Sequence, residues 1–173
     1  MSKFLVTGYP GTGKSSIAHA LKKHGYAAYD TEAMRGYMHV ESVETGRHIA
    51  VPSPIPAGWF DTTGNCVWDL SRVLQLMQQH DDIFICALAD NQEELYASFD
   101  TIFLLLLDET LLRNRLELRT TTNYGKDAQE LSDIMKFHRH FESSLLNAGA
   151  VGIDTRKALP EVVSEIIRLS QTA

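Results

Sequence analysis

Gly8-Tyr9-Pro10-Gly11-Thr12-Gly13-Lys14-Ser15 carries more chemical meaning than any other stretch of the chain. Its spacing is Gly, four residues, Gly, Lys and Ser, the pattern of a phosphate-cradling loop. The apolar run Phe4-Leu5-Val6 before it reads as a buried strand. Residues 14–24 after it read as a helix, with Ile17, Ala18, Ala20 and Leu21 on one face. Between them, the glycines let backbone N–H groups turn inward, and the helix N-terminus adds partial positive charge. Lys14 can reach β- and γ-phosphates, and the Ser15 hydroxyl can ligate Mg²⁺. Ser16 continues the turn, so residues 8–16 form the candidate nucleotide site. The competing reading is a chance match, and the strand-loop-helix context argues against it.

The chain has 173 residues, which suits one domain spanning 1–173. Its 44% hydrophobic and 22% charged residues are ordinary for a soluble globular protein. A net charge of -6 leaves no electrostatic footprint for nucleic acid. The two cysteines, Cys66 and Cys86, make no disulfide framework, and no Cys/His spacing suggests zinc. The N-terminus runs straight into a strand rather than a signal peptide. The longest apolar run, 102–107, is too short to cross a bilayer. The expectation is a cytoplasmic enzyme without nucleic-acid or membrane partners; no oligomeric state is implied.

Strand and helix patterns alternate. Strands are expected at 3–7, 27–29, 83–88, 101–107 and 151–153. Helices are expected at 14–24, 67–80, 109–119, 128–147 and 160–170, with short ones ending at Met38 and near 92–97. Apolar strands alternating with helices argue for an α/β fold with a five-stranded parallel sheet covered on both faces. Ligands then gather at the carboxyl ends of the strands. Two segments break the pattern. Residues 46–64, within a flap of about 40–66, hold three of the five prolines together with Trp59 and Phe60, and read as a substrate-side flap. The polar stretch Arg119-Thr-Thr-Thr-Asn-Tyr-Gly-Lys126, within about 119–128, reads as a lid.

Phosphoryl transfer needs a phosphate cradle, a divalent cation, positive charge over the migrating group and an acceptor held in line. Asp30 and Glu32 flank Thr31 at the end of the second strand, and alternation points both to one side; they are equally good helix caps. Asp90 follows the 83–88 strand, and Asp108 reads better as a cap than as a metal ligand. Arg115 and Arg119, four apart, share a helix face, and Arg139 lies in the next helix. They are candidates to close charge over phosphates, or else a solvated basic face. Arg35 is a candidate for an anionic group of the substrate, or a surface residue. Asn91 and Gln92, just after the 83–88 strand, could donate hydrogen bonds into the cleft or start a helix, with Asn91 read as the cap; Lys136, His138 and His140 read as mostly solvated.

Together the 8–15 loop, Arg115-Leu-Glu-Leu-Arg119 before a lid and Arg139 after it resemble the nucleoside-monophosphate-kinase and shikimate-kinase branch of the P-loop proteins. The resemblance implies a three-layer α/β/α P-loop NTPase fold, ATP and Mg²⁺. Asp30-Thr31-Glu32 is similar to the Asp-x-Asp pair of shikimate kinases. By that likeness Asp30 supports Mg²⁺ with Ser15, and Glu32 holds the acceptor hydroxyl. Arg119 would contact nucleotide phosphates, Arg115 would lie near the adenine, and Arg139 would touch the transferred phosphate or the acceptor. Asp154-Thr155 matches the loop edging the adenine. Asn91-Gln92, Phe99-Asp100 and Asn123-Tyr-Gly-Lys126 also resemble a group of bacterial ATP-binding proteins of this branch. The chain departs from shikimate kinases in lacking glycines at Ala87–Ala89, and from adenylate kinases in lacking a Gly-Asp-x-x-Arg signature.

The expected activity is therefore ATP-dependent phosphotransfer to a nucleoside, nucleotide or small hydroxyl metabolite. Lys14, Glu32, Arg119 and Arg139 form the catalytic set, and Glu32, Arg35, Trp59 and Arg139 contact the acceptor. The alternative is a nucleotide-dependent switch or sensor without a second substrate. No Asn-Lys-x-Asp segment for reading guanine is present, which counts against a GTPase.

Overall fold

A computed structural model describes residues 1–53, 55–56, 58–118 and 128–172. Five strands form a parallel sheet: β1 (Lys3–Thr7), β2 (Ala28–Asp30), β5 (Ile83–Cys86), β6 (Thr101–Leu106) and β7 (Val151–Asp154), in the order β2-β5-β1-β6-β7. β1 lies at the centre, with Leu5 opposite Ile85 on one side and Ile102 on the other. Every residue of β5 is buried, as a strand covered on both faces requires.

Strand alternation sorts the core into two layers. Phe4 and Val6 face α1 (Lys14–Lys23) and α6 (Leu159–Ser170), packing with Ile17, Leu21, Val163 and Ile166. Leu5, Ile83 and Ile85 face the other way, onto Val73, Leu76 and Met77 of α3 (Leu70–Gln78) and onto Trp68. Phe4 and Phe84 stack at 4.7 Å between ring centroids. Burying a ring of this size is worth roughly 1.5–3 kcal/mol, so the layer holding α1 also fixes the loop that α1 begins. A third cluster joins Leu112 and Leu116 of α4 (Glu109–Leu118) to Leu131, Ile134 and Met135 of α5 (Ala128–Asn147), with Tyr9 packed against it. The phosphate-loop motif is thereby gripped from a second side.

The parallel sheet and its flanking helices follow the expected order. The segment before α3 does not. The helix expected from residue 67 starts later: Val67 and Trp68 belong to β4 (Gly64–Trp68), and Asp69 caps α3 by accepting from the Arg72 amide at 3.1 Å. β4 pairs antiparallel with β3 (Met38–Ser42), Val40 opposite Cys66. The flap region is thus a two-stranded hairpin carrying the one-turn helix α2 (Trp59–Thr62). A long connection rather than a two-residue turn joins the strands, so no Asn-Gly type signal marks the hairpin. No helix runs from 31 to Met38 either; Gly36 sits at φ +84 in a turn. Asp108 is a cap, accepting from the Leu111 amide at 3.0 Å. Asn91 makes no capping bond. Its side chain accepts from the Trp68 amide at 2.8 Å and donates to the Trp68 carbonyl at 3.1 Å, tying the hairpin to the chain leaving β5. Among the described residues, no helix is long and apolar enough to cross a membrane.

Candidate active site

The 8–15 loop lies at the carboxyl end of β1. Gly8 is enclosed: a Cβ there would stand 2.7 Å from Thr12 Oγ1 and 2.9 Å from Leu105 Cβ. Gly11 and Gly13 take φ of +96 and +108, left-handed values that suit glycine. Thr12 closes the turn, its hydroxyl donating to the Tyr9 carbonyl at 2.8 Å. Lys14 is only 7% exposed; its ammonium donates to the Gly8 carbonyl at 2.8 Å and lies 3.3 Å from Glu32 Oε1. The same carboxylate oxygen accepts from the Leu88 amide at 2.8 Å. Glu32 thus bridges the phosphate-loop lysine and the end of β5.

Asp30 accepts from the amides of Glu32 and Ala33 through Oδ1, at 3.1 and 3.3 Å. It orders the turn that presents Glu32, and Oδ2 takes no part in those bonds. Thr31, between them, is buried and accepts from the Trp68 indole N–H at 2.9 Å. Ser15 is exposed at the first turn of α1. Among the described residues, no group of three or more His, Cys, Asp or Glu side chains is arranged to hold a metal. The exposed Ser15 hydroxyl and the Asp30 carboxylate would be the groups to hold Mg²⁺, which binds through one or two carboxylates plus substrate phosphates and waters rather than through a protein cage.

A cavity of about 1210 Å³ opens over this arrangement. One wall is the loop, with Lys14, Ser15 and Ser16, and Glu32 beside it. The hairpin supplies Met38, Ile55, Phe60 and Cys66, and the chain after β5 supplies Leu88, Asp90, Gln92, Glu93 and Tyr96. His140, Phe141, Ser144, Leu145 and Ala148 close it from the α5 side. Cys66 and Asp90 join two of these walls: the Cys66 amide donates to Asp90 Oδ2 at 2.6 Å, and the Asp90 amide to the Cys66 carbonyl at 2.8 Å. Burial, followed by the negative charges of Asp90 and Glu32, pushes the Cys66 thiol up to about 11. Gln92, 3% exposed, accepts from the Ala89 amide at 3.4 Å, lies 3.1 Å from the Thr7 hydroxyl, and donates to Tyr96 Oη at 2.9 Å.

A smaller cavity of about 290 Å³ lies on the other side of the loop, between Gly11–Gly13, Ser16, Arg115, Thr155 and Lys157. Arg115 spans it, donating to the carbonyls of Gly11, Thr12 and Thr155 at 3.3, 3.4 and 3.0 Å. Thr155 is buried and bonds the Leu106 carbonyl at 2.8 Å. Asp154 faces Arg156 at 2.7 Å, and those hydrogen bonds hold its carboxyl well below the usual range.

Several of the residues that the sequence singles out therefore meet: residues 9–11 and 13–16 of the loop and Glu32 in the large cavity, Arg115 and Thr155 in the small one. Others stand apart. Arg35 is exposed and does not line the cavity. Trp59 packs against Gly64 and the Phe60 ring instead of facing inward. Arg139 is 71% exposed and pairs with Glu109 at 2.8 Å. Arg119 and the expected lid from 119 to 127 lie outside the described residues. His138 is not solvated: it is 2% exposed, 3.0 Å from Glu142, with its ring edge-on to Tyr9. The spacing 140, 141, 144, 145, 148 is a helical stripe, and that periodicity was the available signal for the α5 wall. Gln92 had its place just after the 83–88 strand as a signal, whereas Cys66 and Tyr96 had none, since they converge only through the hairpin and the β5 exit.

A family profile described as an AAA domain matches residues 5–136, most of the chain. The chain belongs to that AAA domain family. No curated protein matches it. Among solved structures it is similar to a deoxyadenosine kinase from M. mycoides, with 13% identity, TM-score 0.57, and 99% of this chain and 100% of that one covered. It is also similar to a gluconokinase from Sinorhizobium meliloti 1021, with 21% identity, TM-score 0.58 and coverage of 99% and 94%. A shikimate kinase from Bacteroides thetaiotaomicron aligns with 13% identity, TM-score 0.57 and coverage of 98% of both chains. At these identities the likeness establishes the fold, that of P-loop kinases.

Proposed function

We propose that this AAA-family protein is a cytoplasmic kinase that transfers the γ-phosphoryl group of ATP to a hydroxyl of a small-molecule acceptor. Lys14 carries the proposal: a buried ammonium in a glycine-rich phosphate cradle, paired with Glu32 on the wall of a cavity of about 1210 Å³. Single-ligand pockets run to roughly 1,000 Å³, so this one has room for a donor and an acceptor side by side. In the proposed reaction the Lys14 ammonium exchanges Glu32 for the β- and γ-phosphate oxygens. That exchange frees the carboxylate to receive the acceptor's proton. The acceptor oxygen bonds to the γ-phosphorus, the bond to the β–γ bridging oxygen breaks, and ADP leaves with the electron pair. Loop amides and Lys14 stabilise the charge as it moves. Ser15 and Asp30 would hold Mg²⁺, which supplies neutralising charge at the phosphates. Arg115, Thr155 and Asp154 are proposed to edge the adenine. Arg119 and Arg139 are proposed to close over the phosphates, Arg139 by leaving Glu109. Arg35 and Trp59 are proposed to reach the acceptor by movement of the hairpin.

Mixing the protein with Mg-ATP and a panel of nucleosides, nucleotides and hydroxyl metabolites and measuring ADP tests this. Turnover stimulated by an acceptor supports the kinase. A rate that no acceptor alters favours a nucleotide switch. Lys14→Ala should lower the stimulated rate about 100- to 1000-fold, the usual cost of removing one preorganised electrostatic contact.

A further inference from the structure

The chain leaving β5 turns into a 3₁₀ helix, Gln92–Ser98. Residues three apart share a face of such a helix, and Gln92 and Leu95 are its buried pair. Tyr96, one position further on, stands at the rim: its ring packs on the core, and it lines the large cavity. The reaction proposed above uses neither Gln92 nor Tyr96.

A buried amide has to find partners for its polar atoms. Gln92 does so in one orientation. Its oxygen accepts from the Ala89 amide at 3.4 Å and from the Thr7 hydroxyl at 3.1 Å, and its NH₂ donates to Tyr96 Oη at 2.9 Å. Turning the amide over would set its NH₂ against the Ala89 N–H, two donors face to face. Tyr96 Oη is therefore an acceptor toward Gln92, and its own proton is left to donate. Among the described residues nothing accepts that proton. Burial pushes the ionisation of the phenol up, the bond from Gln92 offsets part of this, and the charge of Glu93 adds to the rise. Tyr96 thus keeps its proton at neutral pH. A neutral donor stands on the cavity wall, braced through Gln92 to Thr7, which ends β1 just before the phosphate loop. The same exit from β5 anchors Glu32 through the Leu88 amide.

We propose that Tyr96 is the hydrogen-bond donor through which this wall holds its ligand, and that Gln92 is the positioning residue that turns the phenolic proton toward it. Joined to the phosphotransfer reading above, on which this step rests, the geometry gives a substrate class. The acceptor carries a second lone-pair group (a hydroxyl, carbonyl or ring nitrogen) besides the hydroxyl that Glu32 deprotonates. A simple alcohol would engage Glu32 and leave Tyr96 unpaired.

The direction of the proton can be read without any acceptor. The phenols of the intact protein are titrated by their ultraviolet absorbance, and Tyr96→Phe identifies the one concerned. Gln92→Met removes the N–H that stabilises the phenolate, so Tyr96 should ionise at higher pH in that variant than in the wild type. Ionisation at the same or lower pH means that Tyr96 donates to Gln92, and overturns the inference whether or not the protein turns over ATP. Acceptor kinetics follow, with adenosine, adenosine 5′-monophosphate, glucose and gluconate as probes. Tyr96→Phe keeps the ring and its packing, so it carries this arm even if Gln92→Met does not fold. For the probe that best stimulates ADP formation, Tyr96→Phe should raise KM about 2- to 12-fold, the worth of one neutral hydrogen bond, with kcat and the KM for ATP kept. Deoxy or deaza analogues of that probe, each lacking one polar group, are then compared. One of them should lose the same factor with the wild type and nothing further with Tyr96→Phe. An unchanged acceptor KM, or a loss shared equally by ATP, overturns the inference and leaves the kinase standing. If no probe stimulates turnover, the kinase reading fails and the titration alone decides the inference.

Discussion

In the proposed reaction, Glu32 is the residue on which donor and acceptor chemistry meet. Its carboxylate is 3.3 Å from the Lys14 ammonium and is anchored by the Leu88 amide at 2.8 Å. Glu32→Gln keeps the shape and the bond from Leu88 but loses the proton acceptor. The expected result is a fall in kcat of about 10²- to 10⁴-fold with ATP affinity nearly unchanged, read by single-turnover kinetics beside nucleotide titration. A loss confined to ATP affinity would instead make Glu32 a loop-positioning residue. Cys66 yields a pH prediction. Its folded-state thiol titrates at about 11, against 9.0 for an ordinary one, so between those values the folded state holds more protons than the unfolded state. Stability therefore falls as pH rises through 9 and goes on falling to about 11. Cys66→Ala should make this alkaline slope shallower in denaturant titrations; an unchanged slope contradicts the assignment.

Among the elements, the β3–β4 hairpin supplies one wall of the large cavity, the proposed acceptor side, and its packing is tight at one point. A Cβ on Gly64 would stand 2.5 Å from Trp59 Cζ3 and 2.9 Å from Val40 Cγ1. Gly64→Ala must push the indole and α2 outward. Overpacking of this kind costs about 1–3 kcal/mol. We expect a lowered melting temperature and weakened acceptor binding, with nucleotide binding retained because α1 and its loop are held by other clusters. Loss of nucleotide binding in this variant would show that hairpin and loop are one cooperative unit. The hairpin was also the element least legible in the sequence. Met38–Ser42 and Gly64–Trp68 pair across a long connection, and the apolar pair Val67-Trp68 blends into the helical pattern of α3. The cap Asp69 was the local sign that the helix began after it.

For the whole molecule, the readable part of the sequence was the part set by local periodicity. Apolar strands such as Ile83–Cys86, the phosphate loop, and α5 announce themselves through an unbroken apolar run, fixed glycines and a spacing of 3.6 respectively. The donor side of the site inherits that legibility because the loop is contiguous. The rest of the cavity wall does not, because Glu32, Cys66, Gln92, Tyr96 and Phe141 come from separate segments of the chain. Long charged side chains were hardest to place: Arg139 folds onto Glu109 and Arg115 onto the loop carbonyls, choices made by tertiary neighbours rather than by helix register.

In the proposed reaction one cavity joins a phosphate donor to a hydroxyl acceptor through Lys14 and Glu32. Incubation with ATP labelled at the γ-phosphorus and the acceptor that best stimulates ADP formation tests it directly. Label should appear on the acceptor in equal amount to the ADP formed, and should vanish with Lys14→Ala. Label recovered only as inorganic phosphate, or transfer undiminished in Lys14→Ala, would contradict it.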